Sequence, residues 1–283
     1  FKVNSTSNFL GDGKATVSQN LIRQVKVEFP IILKKDLNLI GGLGYRHEQF
    51  GFKELSEIGY PLYDAFEDKP LKRITSSFFL KKNLSNERFL FVFVNNSLNS
   101  DRPKIARFGD QLKSSAAMIY GKQVNPNKQI GYGLNFGYDL GQPSVLPLFV
   151  YNHDFTLHWG VELLLPKKVK LRYSPSNKMH FYSTIELQGA SYHVTERLIE
   201  TIDKLEFRRS SVRLNLTAER EVHDWLWIGA TFGYRVPISI FISEPGEGRR
   251  NSLVKIDVNN ALYTNLSIFM VPPAKLYKRA KSR

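Results

Sequence analysis

Over much of this chain every second residue is apolar, and that period limits the fold more than any other feature. In QIGYGLNFGYDLG (129–141) one set is Ile130, Tyr132, Leu134, Phe136, Tyr138 and Leu140. The interleaved set is Gln129, Gly131, Gly133, Asn135, Gly137 and Asp139. Successive side chains of a strand point to opposite faces, so the segment has one apolar face and one small, polar face. WLWIGATFGYRV (225–236) sets Leu226, Ile228, Phe232 and Tyr234 against Trp225, Trp227, Gly229, Gly233 and Arg235 in the same way, and RQVKVEF, KKVKLRY, MHFYSTIELQ and SSVRLNLTAE repeat the pattern. Helical periodicity is nearly absent. The exception is TERLIETIDKL (195–205), where Thr195 can cap a short helix that gathers Leu198, Ile199, Ile202 and Leu205 on one face.

Turn signals at NLSNE, VNPNK, DLGQPS, SPSNK and EVHD separate strands near 17–29, 34–49, 71–82, 87–97, 113–123, 128–140, 145–151, 156–165, 167–174, 178–192, 206–220, 224–236 and 259–271. Bacterial single-chain barrels have even strand numbers, so about twelve strands are expected, two of the segments between 145 and 174 merging. Pro166 suits a turn or a bulge there. The stretches 50–70, 98–112 and 242–257, rich in Gly, Pro and charge, read as irregular loops.

An apolar sheet face lies either on a protein core or in lipid. Several of these strands run well past the roughly 5–6 residues of globular strands and match the ~9–11 of a tilted membrane strand. The mean hydropathy of −0.29 and a longest apolar run of only FLFVFV (89–94) exclude membrane helices. They do not exclude a barrel, whose strands hide half their residues from lipid. Tyr45, Tyr132, Tyr138, Tyr173 and Tyr234 fall on apolar faces near strand ends, where an interfacial girdle belongs. Glycines on the opposite faces suit a crowded barrel interior. The expected fold is an all-β, antiparallel, up-and-down transmembrane β-barrel. It forms one domain over 1–283, with a basic C-terminal tail at 273–283.

The run LHWGVELLLPKKVKLRYSPSNKMHFYSTIELQGASYHV, followed by FRRSSVRLNLTAEREVHDWLWIGATFGYRV, resembles an uncharacterised family of outer-membrane β-barrels from Bacteroidota, over roughly the C-terminal half. That resemblance implies a Gram-negative outer membrane, a signal peptide that is removed, and no established activity.

Catalytic chemistry finds little support in the residues. The chain has no cysteine, which removes disulfides, thiol catalysis and Cys-based metal sites. His153 and His158 flank Asp154 in YNHDFTLHWG, but no serine lies beside them in a hydrolase-like motif. His223–Asp224 sits in a turn with Glu219 and Glu221, where charge is expected anyway. The six histidines show no metal spacing, and GGLG (41–44) and GDG (11–13) lack the GK[ST] of a phosphate loop. The expectation is therefore no catalytic residues, no metal and no cofactor.

The informative polar residues are charges on the non-apolar faces: Lys26, Glu28, Arg46, Glu162, Lys168, Lys170, Arg172, Glu186, Arg213, Glu219 and Arg235. In a narrow barrel they pair and plug the lumen. In a wet one their basic surplus favours anions. Trp225, Trp227, Tyr182 and Tyr263, all expected inside, favour the plugged arrangement. The net charge of +14 points to anionic surfaces. Because the aromatics fall on the outward set, no nucleic acid is expected. The partners expected are outer-membrane lipid, lipopolysaccharide and envelope proteins. The function expected is a non-enzymatic structural or accessory subunit of an envelope complex, with a small-solute, anion-preferring, porin-like channel as the alternative.

Overall fold

The computed structural model describes residues 2–7, 10, 12–53, 61–85, 87–103, 108–138, 141–195, 202 and 204–271. Fifteen strands follow one another: β1 (Lys2–Thr6), β2 (Gly13–Leu33), β3 (Leu37–Lys53), β4 (Leu71–Asn83), β5 (Arg88–Ser100), β6 (Leu112–Asn125), β7 (Lys128–Gly137), β8 (Ser144–Asp154), β9 (Trp159–Leu165), β10 (Lys168–Ser176), β11 (Met179–Val194), β12 (Leu205–His223), β13 (Leu226–Ser243), β14 (Val254–Val258) and β15 (Ala261–Met270). Helix α1 (Pro61–Asp68) precedes β4, and a single turn, α2 (Phe108–Gln111), leads into β6. All strands belong to one antiparallel sheet. Fourteen of them close a ring through β12–β13, and β15 lies outside that ring, paired to β13. The all-β barrel expected from the alternation is what the chain forms.

The strand count exceeds the expected twelve. Between 144 and 176 three strands stay separate instead of merging, with Pro166 in the two-residue turn between β9 and β10. β1 and β14, five residues each, are too short to print a period-two signal, and β14 falls at the edge of a stretch read as loop. Helices α1 and α2 likewise replace loop in 50–70 and 98–112. The short helix expected over 195–205 falls mainly on 196–201 and 203, outside the described residues.

The wall is not a uniform cylinder. β11 leaves β10 after Glu186, and its last residues reach across to β5, where His193 bridges Ser100. Asn99 Nδ2 donates to the Ser191 carbonyl at 2.9 Å, and Asp101 accepts from the backbone and hydroxyl of Thr195. Nine strands (β11 to β14 and β1 to β5) thereby enclose a narrower end, called here the cap end. A hydrophobic core fills it, with Val3, Val17, Tyr63, Phe66, Leu71, Tyr192, Leu205, Phe207, Ile242 and Ile256 at its centre. Helix α1 supplies Tyr63, whose hydroxyl donates to the Gly13 carbonyl and shares a 2.9 Å hydrogen bond with Ser5. Burial pushes the Tyr63 phenol above its ordinary value.

At the other, wide end, short turns join the strands. The outward face there is a belt of exposed apolar side chains: Val25, Val27, Leu43, Phe78, Met118, Leu134, Ile185, Leu216, Phe232 and Ile268 among them. Val25, Val27, Leu134, Ile185, Leu216 and Phe232 are residues the alternation assigns to the apolar face. A soluble chain rarely exposes so continuous an apolar surface.

Candidate functional site: an arginine-lined lumen

The inward residues just below the hydrophobic core are mostly arginines. Glu48 on β3 is completely buried, and Arg209 on β12 holds it from two nitrogens, at 2.7 Å to Oε1 and 2.5 Å to Oε2. Asn20 on β2 donates to Oε1 at 3.0 Å and Arg46 to Oε2 at 3.3 Å. A carboxylate with this many charge-assisted donors is fully compensated for its burial. Arg73 lies over the Tyr192 ring at 5.4 Å, and Arg213 lies over the Tyr263 ring at 5.3 Å. Arg46, Arg73, Arg209 and Arg213 border a small void of about 40 Å³. Arg46, Arg213 and Arg235 border a larger cavity of about 740 Å³ that runs down the lumen. Neither cavity has a carboxylate among its lining residues. The lumen under the cap is therefore a cationic chamber; Glu48 is the carboxylate its arginines hold, and Glu186 stands opposite Arg213 in the β11–β12 register.

A second buried cluster lies on the opposite face of β12. Lys113 donates to Glu206 at 2.5 Å, Arg208 at 2.6 and 2.9 Å, and Ser191 at 3.2 Å. Burial alone would raise the Glu206 carboxyl, but Lys113 and Arg208 outweigh it and hold the group below its ordinary value. This face is enclosed because the tops of β11 and β12 turn inward and the chain after β7 folds over them. Gly141, with φ of +82°, makes that approach possible: a Cβ there would stand 2.7 Å from the Arg209 carbonyl oxygen.

Toward the wide end the charges pair within the wall. Lys26 pairs with Glu28, Lys170 with Glu162 at 2.6 Å, and Arg172 with Asp154 at 2.5 Å. Glu186 accepts from Gln188 at 2.9 Å, Lys168 stands opposite Glu186 in the β10–β11 register, and Glu219 stands opposite His180. His180 stacks on Trp227 at 5.3 Å, a ring pair inside the lumen. Trp225, expected inside, is exposed at the turn before β13.

Of the lumen charges named from sequence, the fold brings Arg46, Arg213 and Arg235 into one chamber, sets Glu186 beside Arg213 and Lys168 beside Glu186, and leaves the rest lower in the wall. Glu48, Arg73 and Arg209 were missed there, although two of them share the inward parity of a named residue: Glu48 with Arg46, and Arg209 with Arg213; on β4 no charge was named to point to Arg73. Lys113, Glu206 and Arg208 had no such signal, because their burial depends on the inward turn of β11. Of the tyrosines, Tyr45, Tyr132 and Tyr234 are exposed, and Tyr173 is half-buried between Trp159 and Phe181. Tyr138 departs from the expected outward face: it lies past the end of β7, half-buried, with the Lys113 ammonium over its ring at 4.9 Å. The histidines make local contacts. His153 bonds the Tyr151 hydroxyl and His158 the Ser174 carbonyl. No group of three or more metal-ligating side chains occurs among the described residues.

Compared with known proteins, residues 24–246 match the model of a family described as a domain of unknown function, DUF6268. No curated protein matches the chain.

Proposed function

The chain belongs to the DUF6268 family, a domain of unknown function, and on that footing we propose that it is an integral outer-membrane β-barrel without enzymatic activity, acting as a structural or accessory subunit of an envelope complex. The observation that carries the reading is the apolar belt, with Leu266, Ile268 and Leu216 at 84%, 77% and 62% exposure. In water such a belt is an aggregation surface; in a bilayer it is the solvent-matched face. Direction follows from loop length. The wide end has short turns, as periplasmic ends do, and the cap end carries the longer connections that face outward in such barrels. The basic cap-end residues Lys14, Arg249, Arg250 and Lys255 then meet lipopolysaccharide phosphates.

The filled cap favours a closed scaffold over a pore. The cationic chamber beneath it favours a second reading, an anion-preferring passage. Conductance separates these two, and solubility tests the membrane reading they share. A protein that is soluble without detergent and shows no heat-modifiable gel migration sinks the membrane reading. In planar bilayers the scaffold gives no steady conductance. A steady anion-selective conductance that Arg213→Glu with Arg235→Glu reverses establishes the passage instead. Co-purification of envelope proteins in mild detergent supports the accessory role, and a clean monomer argues against it.

A further inference from the structure

Among the described residues the barrel wall has an unpaired slot. β15 is hydrogen-bonded to β13 along one edge, and no pairing joins its other edge to anything among the described residues. On the far side of the slot β2 pairs with β3 from Thr16 to Leu33, but among the described residues its second edge is paired only at Gly13–Thr16, by β1. From Gln19 to Leu33 that edge has no pairing among the described residues. The 740 Å³ cavity reaches the outside between these edges, lined by Gln19, Asn20, Ile22, Leu262, Thr264 and Asn265. The slot lies at the level of the apolar belt, where backbone N–H and C=O groups find no water to bond them.

Strand direction fixes what fits. β1 is antiparallel to β2 and to β14, so β2 and the β14–β15 line run the same way. Below β1 the wall consists of thirteen strands (β2 to β13, and β15), an odd number that cannot close as an antiparallel ring. One further strand, antiparallel to both edges, makes the ring even and satisfies both. β1 already occupies that lane at its head: Lys2 faces Thr16 on β2, Val3 faces Val258 on β14, and the Lys2 carbonyl accepts from Asn259 N at 3.1 Å.

We infer that the slot is a strand-acceptor site and that its occupant is the protein's own polypeptide leading into Lys2, extending β1 down the lane by about ten residues, the length of a tilted membrane strand. The requirement comes from the two open edges and their direction. The occupant alternates apolar residues outward with small or polar ones toward Asn20 and Asn265. The basic tail at 273–283, with Lys275, Lys278, Arg279, Lys281 and Arg283, cannot supply an unbroken apolar row. The inference rests on the membrane reading for the level of the slot, but not for its two edges.

The test uses the protein expressed from its complete reading frame. Because the chain has no cysteine, Gln24→Cys with Ser267→Cys places a clean thiol pair at one level across the slot. With a strand between them the thiols lie about 10 Å apart. Oxidation then leaves them unlinked while a bifunctional maleimide of about that span joins them. A direct disulfide means that β2 and β15 close on each other and overturns the inference. The photo-crosslinker p-benzoylphenylalanine placed at Asn265, or at Gln24 where the first variant fails to fold, identifies the occupant by peptide mass spectrometry. An adduct to the segment preceding Lys2 is the expected result. An adduct to residues 272–283, to another protein or to lipid overturns it. Release of the protein by salt washing alone sinks the membrane reading separately, and the adduct still decides the slot.

Discussion

Arg209 and Glu48 form a two-pronged ion pair between β12 and β3, on strands far apart in sequence, within a lumen that holds four more arginines. It ties opposite sides of the wall together at the floor of the hydrophobic core. Removing one partner leaves an uncompensated buried charge. Arg209→Met and Glu48→Gln should therefore each destabilise the barrel by about 3–5 kcal/mol. Replacing both, with Glu48→Met added to Arg209→Met, should cost less than either single change. The midpoint of heat-modified gel migration reads all three.

The Lys113–Glu206–Arg208 cluster makes cap stability pH-dependent. The Glu206 carboxyl is held below its ordinary value of 4.5 when folded. Its contribution is therefore fully present above that value and is lost as pH falls from there through the lowered folded value. Unfolding midpoints taken between pH 7 and pH 3 should drop, and Glu206→Gln should lower the pH 7 midpoint while flattening the dependence. An unchanged slope in the variant would remove Glu206 from the account.

Gly141→Ala should destabilise by about 1–3 kcal/mol, because its positive φ and its contact with the Arg209 carbonyl both exclude a side chain. Limited proteolysis of the chain around 138–144 is the direct readout, with cleavage faster than in the parent.

On the belt, Leu216→Lys puts a charge on the outward face and should cost about 2–4 kcal/mol of folding into lipid. Thr217→Lys, one residue on and facing the lumen cavity, should cost markedly less. Folding titrations into liposomes compare the two. Equal effects would mean that the outward face does not meet hydrocarbon.

How much of this was legible beforehand divides along a physical line. Alternation is local, so the facing of Leu214, Leu216, Phe232 and Leu134 could be read from the sequence. Ring closure is not local. The bridge between His193 and Ser100 joins residues with no shared pattern, and the inward turn it belongs to helps bury Glu206 and Arg208 on a face that parity assigns to the outside. The chamber was half visible for the same reason. Arg213 and Arg235 follow from parity on adjacent strands, whereas their meeting with Arg73 depends on how the sheet curls. Tyr138 was misplaced because its strand ends one residue earlier, at Gly137, whose φ of +124° breaks the extended backbone and with it the alternation.

The cap core also sets an order of events. Val3 and Val17 come from one end of the chain, Ile242, Val254 and Ile256 from the other, and β1 meets β14 across some 250 positions. No early segment can bury that core by itself, so the loop-closure entropy of the whole chain must be met before the cap seals. Until β14 is synthesised and docked, the apolar lining of the narrow end stays open to water, chaperones and proteases. The seam where the two ends of the barrel meet is thus the last to zip, and a chain cut short before Val254 would be left with no lid to close.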